Sequence, residues 1–106
     1  MTNTLRYHRL TYLNAIWGCR CGDLNANETT ILTAIAGASE EENQPIAVSI
    51  GEIAKRSRLG TQCVQRNVNQ LIKKSFLAKV KEHTANEPAE YLINMVRLKE
   101  FSRVTR

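Results

Sequence analysis

The sequence predicts a small α+β fold, mainly helical with one β-hairpin. Three observations carry that expectation. Residues 49–57 and 61–74 both repeat apolar side chains at helical spacing and are separated only by a tight gap, Arg58-Leu59-Gly60. Residues 78–83 and 90–94 read as strands on either side of the turn-forming run Thr84-Ala-Asn-Glu-Pro88. The chain has 106 residues, enough for one compact domain but hardly two.

Taken in order, residues 1–22 place Leu10, Leu13, Ile16 and Trp17 at helical spacing, with Gly18 and Gly22 to end a short amphipathic helix. Tyr7, Thr11 and Tyr12 suit a strand equally, so both forms stay open. In the next segment Asn27 is the expected cap, and Ile31, Leu32, Ile35 and Ala36 form one apolar face of a helix over 28–38. The run SEEENQP is a polar, acidic surface loop closed by Pro45. Ile46-Ala47-Val48 is a short strand.

Ser49 and Glu52 match a capping box, with the serine hydroxyl accepting an early N–H and the carboxylate reaching back. The helix they open, over 50–57, turns Ile50, Ile53 and Ala54 inward. Leu59 plugs the turn and Gly60 supplies a backbone freedom other residues lack. In the following helix Val64, Val68, Leu71 and Ile72 point one way. Gln62, Arg66, Asn69, Gln70 and Lys73 point the other, with Thr61 and Gln65 on a flank. In AKVKEH, Ala78 and Val80 alternate with Lys79, Lys81 and His83, so the lysines are expected on one side and the apolar residues on the other. Met95, Leu98 and Phe101 place a further helix in the tail.

Charge and cysteines narrow the function classes. The net charge of +5 is unevenly spread: residues 55–83 hold eight basic side chains against Glu82 alone. Such a local field attracts phosphate polymers or anionic surfaces. No run approaches the roughly 20 apolar residues of a membrane span, and Arg6, His8 and Arg9 interrupt any leader-like apolar segment. A cytoplasmic, nucleoid-associated protein is expected. The three cysteines argue against a disulfide framework. Cys19, Cys21, Cys63 and His8 lack the usual zinc-ligand spacing, so no metal is expected. Nothing groups His8 or His83 with a nucleophile, and no Gly-rich phosphate loop is present; neither an enzyme, a cofactor nor a small-molecule ligand is expected.

Two short helices joined by a tight turn and followed by a basic hairpin compose a winged helix-turn-helix. There the second helix enters the major groove, where each base pair displays its own donors and acceptors. Amide side chains match adenine edges and arginine matches guanine, which explains amides and an arginine on a helix otherwise held by valines and leucine. Its exposed positions carry no carboxylate that would repel the DNA backbone.

LGTQCVQRNVNQLIKKSFLAKV resembles the recognition segment of the winged helix-turn-helix DNA-binding proteins of phages, plasmids and bacteria, through Val64, Arg66, Val68, Leu71, Ser75, Phe76 and Leu77. VSIGEIAKRSRLG resembles the family's preceding helix. The resemblance spans residues 24–94 and omits the N-terminal extension, 1–23, and the C-terminal tail, 95–106. Ser75 stands where the family usually has a glycine in left-handed conformation, and Cys63 where a threonine or serine is usual. The resemblance implies a transcriptional regulator, with a replication-initiation or plasmid-maintenance module as the alternative on the same fold.

The expected base contacts are Gln62, Gln65, Arg66 and Asn69. The expected phosphate contacts are Ser49, Thr61, Lys73, Lys79, Lys81 and His83, with Ser49 also serving as a helix cap. The partner is double-stranded DNA, and a homodimer through the terminal apolar stripes is expected to present two reading helices. The rivals are a protein-interaction module that meets an acidic partner, and an RNA binder, against which the lack of aromatics on the reading helix and hairpin counts.

Overall fold

The computed structural model describes residues 4–19, 22, 24–40 and 44–100. The elements are α1 (Thr4–Gly18), α2 (Ala26–Gly37), β1 (Ile46–Ala47), α3 (Ile50–Ser57), α4 (Thr61–Lys73), β2 (Leu77–Lys81), β3 (Glu90–Ile93) and α5 (Met95–Glu100). The strands form one antiparallel sheet in the order β1-β3-β2. Ile46 faces Tyr91, and Leu77 faces Ile93. Among the described residues the fold is thus α+β with five helices and a small sheet, and β1 makes it a three-stranded sheet rather than a bare hairpin.

One core joins all the layers. Ile31, Leu32 and Ile35 of α2, Ile53 of α3, and Val64, Val68 and Leu71 of α4 are fully buried with Phe76, and Leu77, Tyr91 and Ile93 close the core from the sheet. At roughly 25 cal/mol per Å² of apolar surface removed from water, this shared burial is the main force that holds the helices to the sheet.

The N-terminal segment is a helix of 15 residues, not a strand. Of its described side chains Tyr12 and Ile16 are buried, with Leu13 and Ala15 partly covered. It packs against α2 and α5, where Leu98 is fully buried. Leu13, Ile16, Met95 and Leu98 of the two terminal stripes therefore pack internally and extend the core, while Leu10 is 46% exposed. Trp17 leaves the expected stripe. It is 70% exposed, and its indole Nε1 donates to Thr33 Oγ1 of α2 at 3.1 Å. Phe101 and Val104 of the tail lie outside the described residues, as do 41–43 of the acidic loop.

Capping follows simple chemistry, with two departures from expectation. Asn25, not Asn27, caps α2: Glu28 N donates to Asn25 Oδ1 at 2.8 Å and Asn25 N donates to Glu28 Oε1 at 3.0 Å, a reciprocal box. At α3 only half the box forms. Glu52 N donates to Ser49 Oγ at 3.0 Å, but the Glu52 carboxylate accepts from Arg56 Nε at 2.9 Å, one turn ahead.

The turn between α3 and α4 also differs from expectation. Gly60 sits in ordinary extended backbone, φ −71°, as the cap of α4. The left-handed residue is Arg58, φ 63°, whose N–H donates to Ala54 O while Leu59 N donates to the same carbonyl. At the far end of α4, Ser75 is left-handed at φ 70°. Ser75 N donates to Ile72 O and Phe76 N to Leu71 O, both at 3.0 Å, the paired bonds that stop a helix and turn the chain into the core.

Candidate nucleic-acid interface

α4 is fixed from within and open on its outer side. Val64, Val68 and Leu71 are fully buried, while Gln62, Gln65, Arg66, Asn69, Gln70 and Lys73 are exposed. Thr61 opens the helix on the exposed flank, next to a glycine cap that has no side chain to bond the first-turn N–H groups. Gln65 Nε2 donates to Asn69 Oδ1 at 3.1 Å, which aligns two amides along one line of the helix. Neither Arg66 nor Lys73 has an ion-pair partner among the described residues, and α4 contains no carboxylate.

The sequence pattern missed two features of α4, an anchor to α2 and a bond within the helix itself. Lys74 Nζ donates to both carboxylate oxygens of Glu28, at 3.0 and 2.9 Å, and Glu28 is 1% exposed. One carboxylate thus caps α2 and ties the end of α4 to its start. The Asn25-x-x-Glu28 spacing carried the signal for the capping half; no local pattern carries the pairing to residue 74. Asn67, read neither as inward nor as outward, is buried. Its Nδ2 donates to Cys63 O at 2.8 Å and reaches Cys63 Sγ at 3.4 Å. Asn27 Nδ2 approaches the same sulfur at 3.7 Å, so Cys63 faces α2 from the first turn of α4.

The hairpin departs from the expected alternation. Lys79 pairs with Tyr91 and Lys81 with Glu90, so Val80 is an extra residue on β2, a bulge. Leu77 is the inward residue of β2, whereas Ala78 and Val80 are exposed. The physical reason is that the helices cover one face of the sheet, and Leu77, Tyr91 and Ile93 supply it. Past the bulge Val80 and Lys81 are both exposed, and the strand ends at Lys81, before His83.

Nor are the hairpin lysines bare cations. Lys81 Nζ lies 2.6 Å from Glu87 Oε1 and 3.9 Å from Glu90 Oε2, and Lys79 Nζ lies 3.4 Å from Glu82 Oε1. The hydrogen bond from Lys81, and then its charge, hold the Glu87 carboxyl below the usual carboxylate range. The same bond raises the Lys81 ammonium above its ordinary value. Burial, with a smaller contribution from Glu82, raises the Tyr91 phenol.

A cleft of about 710 Å³ separates the start of α3 from the hairpin, and Ser49, Gln65, Lys79 and His83 all line it. The fold therefore brings four of the ten expected contact residues around one groove. Arg66, Asn69, Gln62, Thr61 and Lys73 lie on the open face of α4 outside its lining, and Lys81 is turned to Glu87. Arg97 of the tail is committed elsewhere: Nε donates to Lys74 O at 3.2 Å, and the guanidinium stacks 5.2 Å from the Phe76 ring centroid.

Among the described residues no three His, Cys, Asp or Glu side chains cluster as metal ligands, and no helix is long and apolar enough to cross a membrane. Cys21 and the His8 side chain lie outside the described residues. No protein-family model matches the chain, and neither a curated protein nor a solved structure shows significant similarity to it.

Proposed function

We propose that this chain is a sequence-specific double-stranded DNA-binding protein of winged helix-turn-helix architecture, acting as a small transcriptional regulator. In this reading α3 and α4 form the helix-turn-helix, α4 enters the major groove, and the β2–β3 hairpin is the wing. The observation that carries it is the outer face of α4, where Gln62, Gln65, Arg66 and Asn69 are exposed on a helix without a carboxylate. Asparagine and glutamine can bond adenine edges bidentately, and arginine guanine. The cleft between Ser49 and His83 brings hydroxyl, amide, ammonium and imidazole groups beside that helix, together with the carboxylates of Glu52 and Glu87, so it supports the reading only through its cationic and hydrogen-bonding side. Bound at a promoter, a protein of this size represses by occupying DNA that polymerase needs.

The regulator acts as a homodimer in this account, because two half-sites about 34 Å apart require two reading helices. Packing of α1 on α2 and α5 covers Tyr12, Ile16 and Leu98, so the proposed contact is what stays outside among the described residues. Leu10 and Trp17, seven residues apart on one side of α1, are 46% and 70% exposed, and Val96 of α5 is 71% exposed.

Selection of bound sequences from a random duplex pool tests the function. An enriched palindrome supports the dimeric regulator. Enriched tandem repeats favour a replication-initiation or plasmid-maintenance role on the same fold. A pool that yields no enriched motif contradicts sequence-specific binding and favours a protein-interaction role.

A further inference from the structure

We infer that Glu87 is an internal competitor for phosphate on the hairpin, which holds Lys81 away from DNA in the free protein and so lowers affinity for every duplex, with most consequence on arbitrary DNA. The inference rests on the DNA-binding reading and adds to it an internal competitor for the wing.

The geometry is local and complete. Lys81 follows the bulge at Val80, so it leaves the face it shared with Lys79 and meets the return of the hairpin. There Glu87 takes its ammonium at 2.6 Å, with Glu90 behind at 3.9 Å. Glu87 is held in place by its own backbone, whose N–H donates to Thr84 Oγ1 at 3.1 Å while its carbonyl accepts from Thr84 N at 2.8 Å. The loop thus presents the carboxylate to the lysine from a fixed turn. The second hairpin lysine is held similarly, by Glu82 at 3.4 Å. On α4, by contrast, Arg66 and Lys73 have no such partner among the described residues.

A lysine that reaches phosphate must first leave its carboxylate, and that carboxylate then stands close to the DNA backbone, where like charges repel. On arbitrary DNA, binding is almost wholly electrostatic, so this exchange opposes a large share of it. On the target, base contacts from α4 add to the favourable side and carry the exchange through. Glu87 therefore weakens binding to all duplexes, and its effect decides the outcome where α4 makes no base contacts.

The test compares the full-length wild type with E87Q, K81Q and the double variant on a non-target duplex across a salt series, with thermal melting as the check on folding. E87Q is expected to raise non-target affinity roughly two- to fivefold, the range of a solvent-exposed charge pair. It is also expected to steepen the salt slope by about 0.9, the value of one added phosphate contact. In the K81Q background the slope change should vanish. An NMR titration of the Glu87 carboxyl provides a readout without DNA: it should titrate below the ordinary range in the wild type and return to it in K81Q. Wild-type binding that E87Q leaves unchanged overturns this inference alone, as does a Glu87 titration that K81Q does not move. Failure of the wild type to bind any duplex overturns the DNA-binding reading and this inference with it.

Discussion

The outer face of α4 and the β2–β3 hairpin are both basic, exposed and built from residues that suit DNA, yet they differ in how their charges are held. Arg66 and Lys73 on α4 have no carboxylate within ion-pair distance among the described residues. On the hairpin Lys79 has one and Lys81 has two. The difference teaches that a count of basic residues along the chain overstates the charge available to a partner. Glu87 and Glu90 lie outside the basic segment 55–83 in sequence but fold back onto its Lys81. Under the DNA-binding proposal the helix is ready for contact, whereas the hairpin must exchange partners first.

The comparison depends on α4 being rigidly placed, and removing that support should give the largest effect. Glu28→Ala leaves Lys74 without its buried partner and α2 without half of its capping box. Breaking a buried pair costs about 3–5 kcal/mol, and the low end applies because the Lys74 side chain is 26% exposed. Urea unfolding should show this loss. A loss below about 1 kcal/mol, the range of exposed pairs, would mean that the Glu28–Lys74 bond does not anchor the helix.

The next effect separates the two regions directly. Arg66→Ala and Gln62→Ala should each cost about 1–3 kcal/mol of discrimination between a target duplex and its single-base variants. Lys81→Ala should weaken all duplexes almost equally. Its salt slope should fall by less than the roughly 0.9 expected of a free phosphate-binding lysine, because Glu87 already occupies it. Fluorescence anisotropy across a salt series reads both quantities. A full drop in slope would restore the hairpin to equal standing with the helix.

Much of the fold was legible because it rests on local chemistry. Val64, Val68 and Leu71 announced the buried side of α4 by spacing alone, and Ser49 announced the cap of α3. Several of the misses share one cause, which is pairing across distance. No period in the sequence shows that Glu28 meets Lys74, or that Glu87 meets Lys81. Nor does alternation reveal the bulge at Val80, since that depends on the register against Tyr91 and Glu90. The turn before α4 misled for a different reason: glycine is the usual left-handed residue, but here Arg58 takes that conformation and Gly60 does not. At the site, the outward residues of α4 were readable, whereas the state of the hairpin lysines was not.

A third effect concerns pH and is confined to the hairpin. The Glu87 carboxyl is lowered in the folded protein, so its ion pair contributes stability above the ordinary carboxylate value and loses it as pH falls through the folded value. Lys81 is raised, so its share is present below its ordinary value of 10.5 and lost only as pH rises beyond the folded value. Between these limits stability should be insensitive to this pair. K81Q should flatten the acid limb of the melting profile attributable to Glu87; an unchanged acid limb would show that the pair is not formed in solution.

The smallest effect lies at the joint between the two regions. Ser75 links α4 to β2 in a left-handed conformation that disfavours side chains by about 1 kcal/mol. Ser75→Gly should therefore raise stability by no more than about 1 kcal/mol and leave DNA discrimination unchanged. Destabilisation on thermal melting would contradict the left-handed placement.

The central claim is that the outer face of α4 reads bases. The most direct measurement is selection from a random duplex pool, run in parallel with the wild type and with Arg66→Ala. The account predicts an enriched motif for the wild type and a motif for the variant that is degenerate at one position per half-site, with the remaining positions intact. Identical motifs from both proteins would contradict it and remove α4's arginine as the reader.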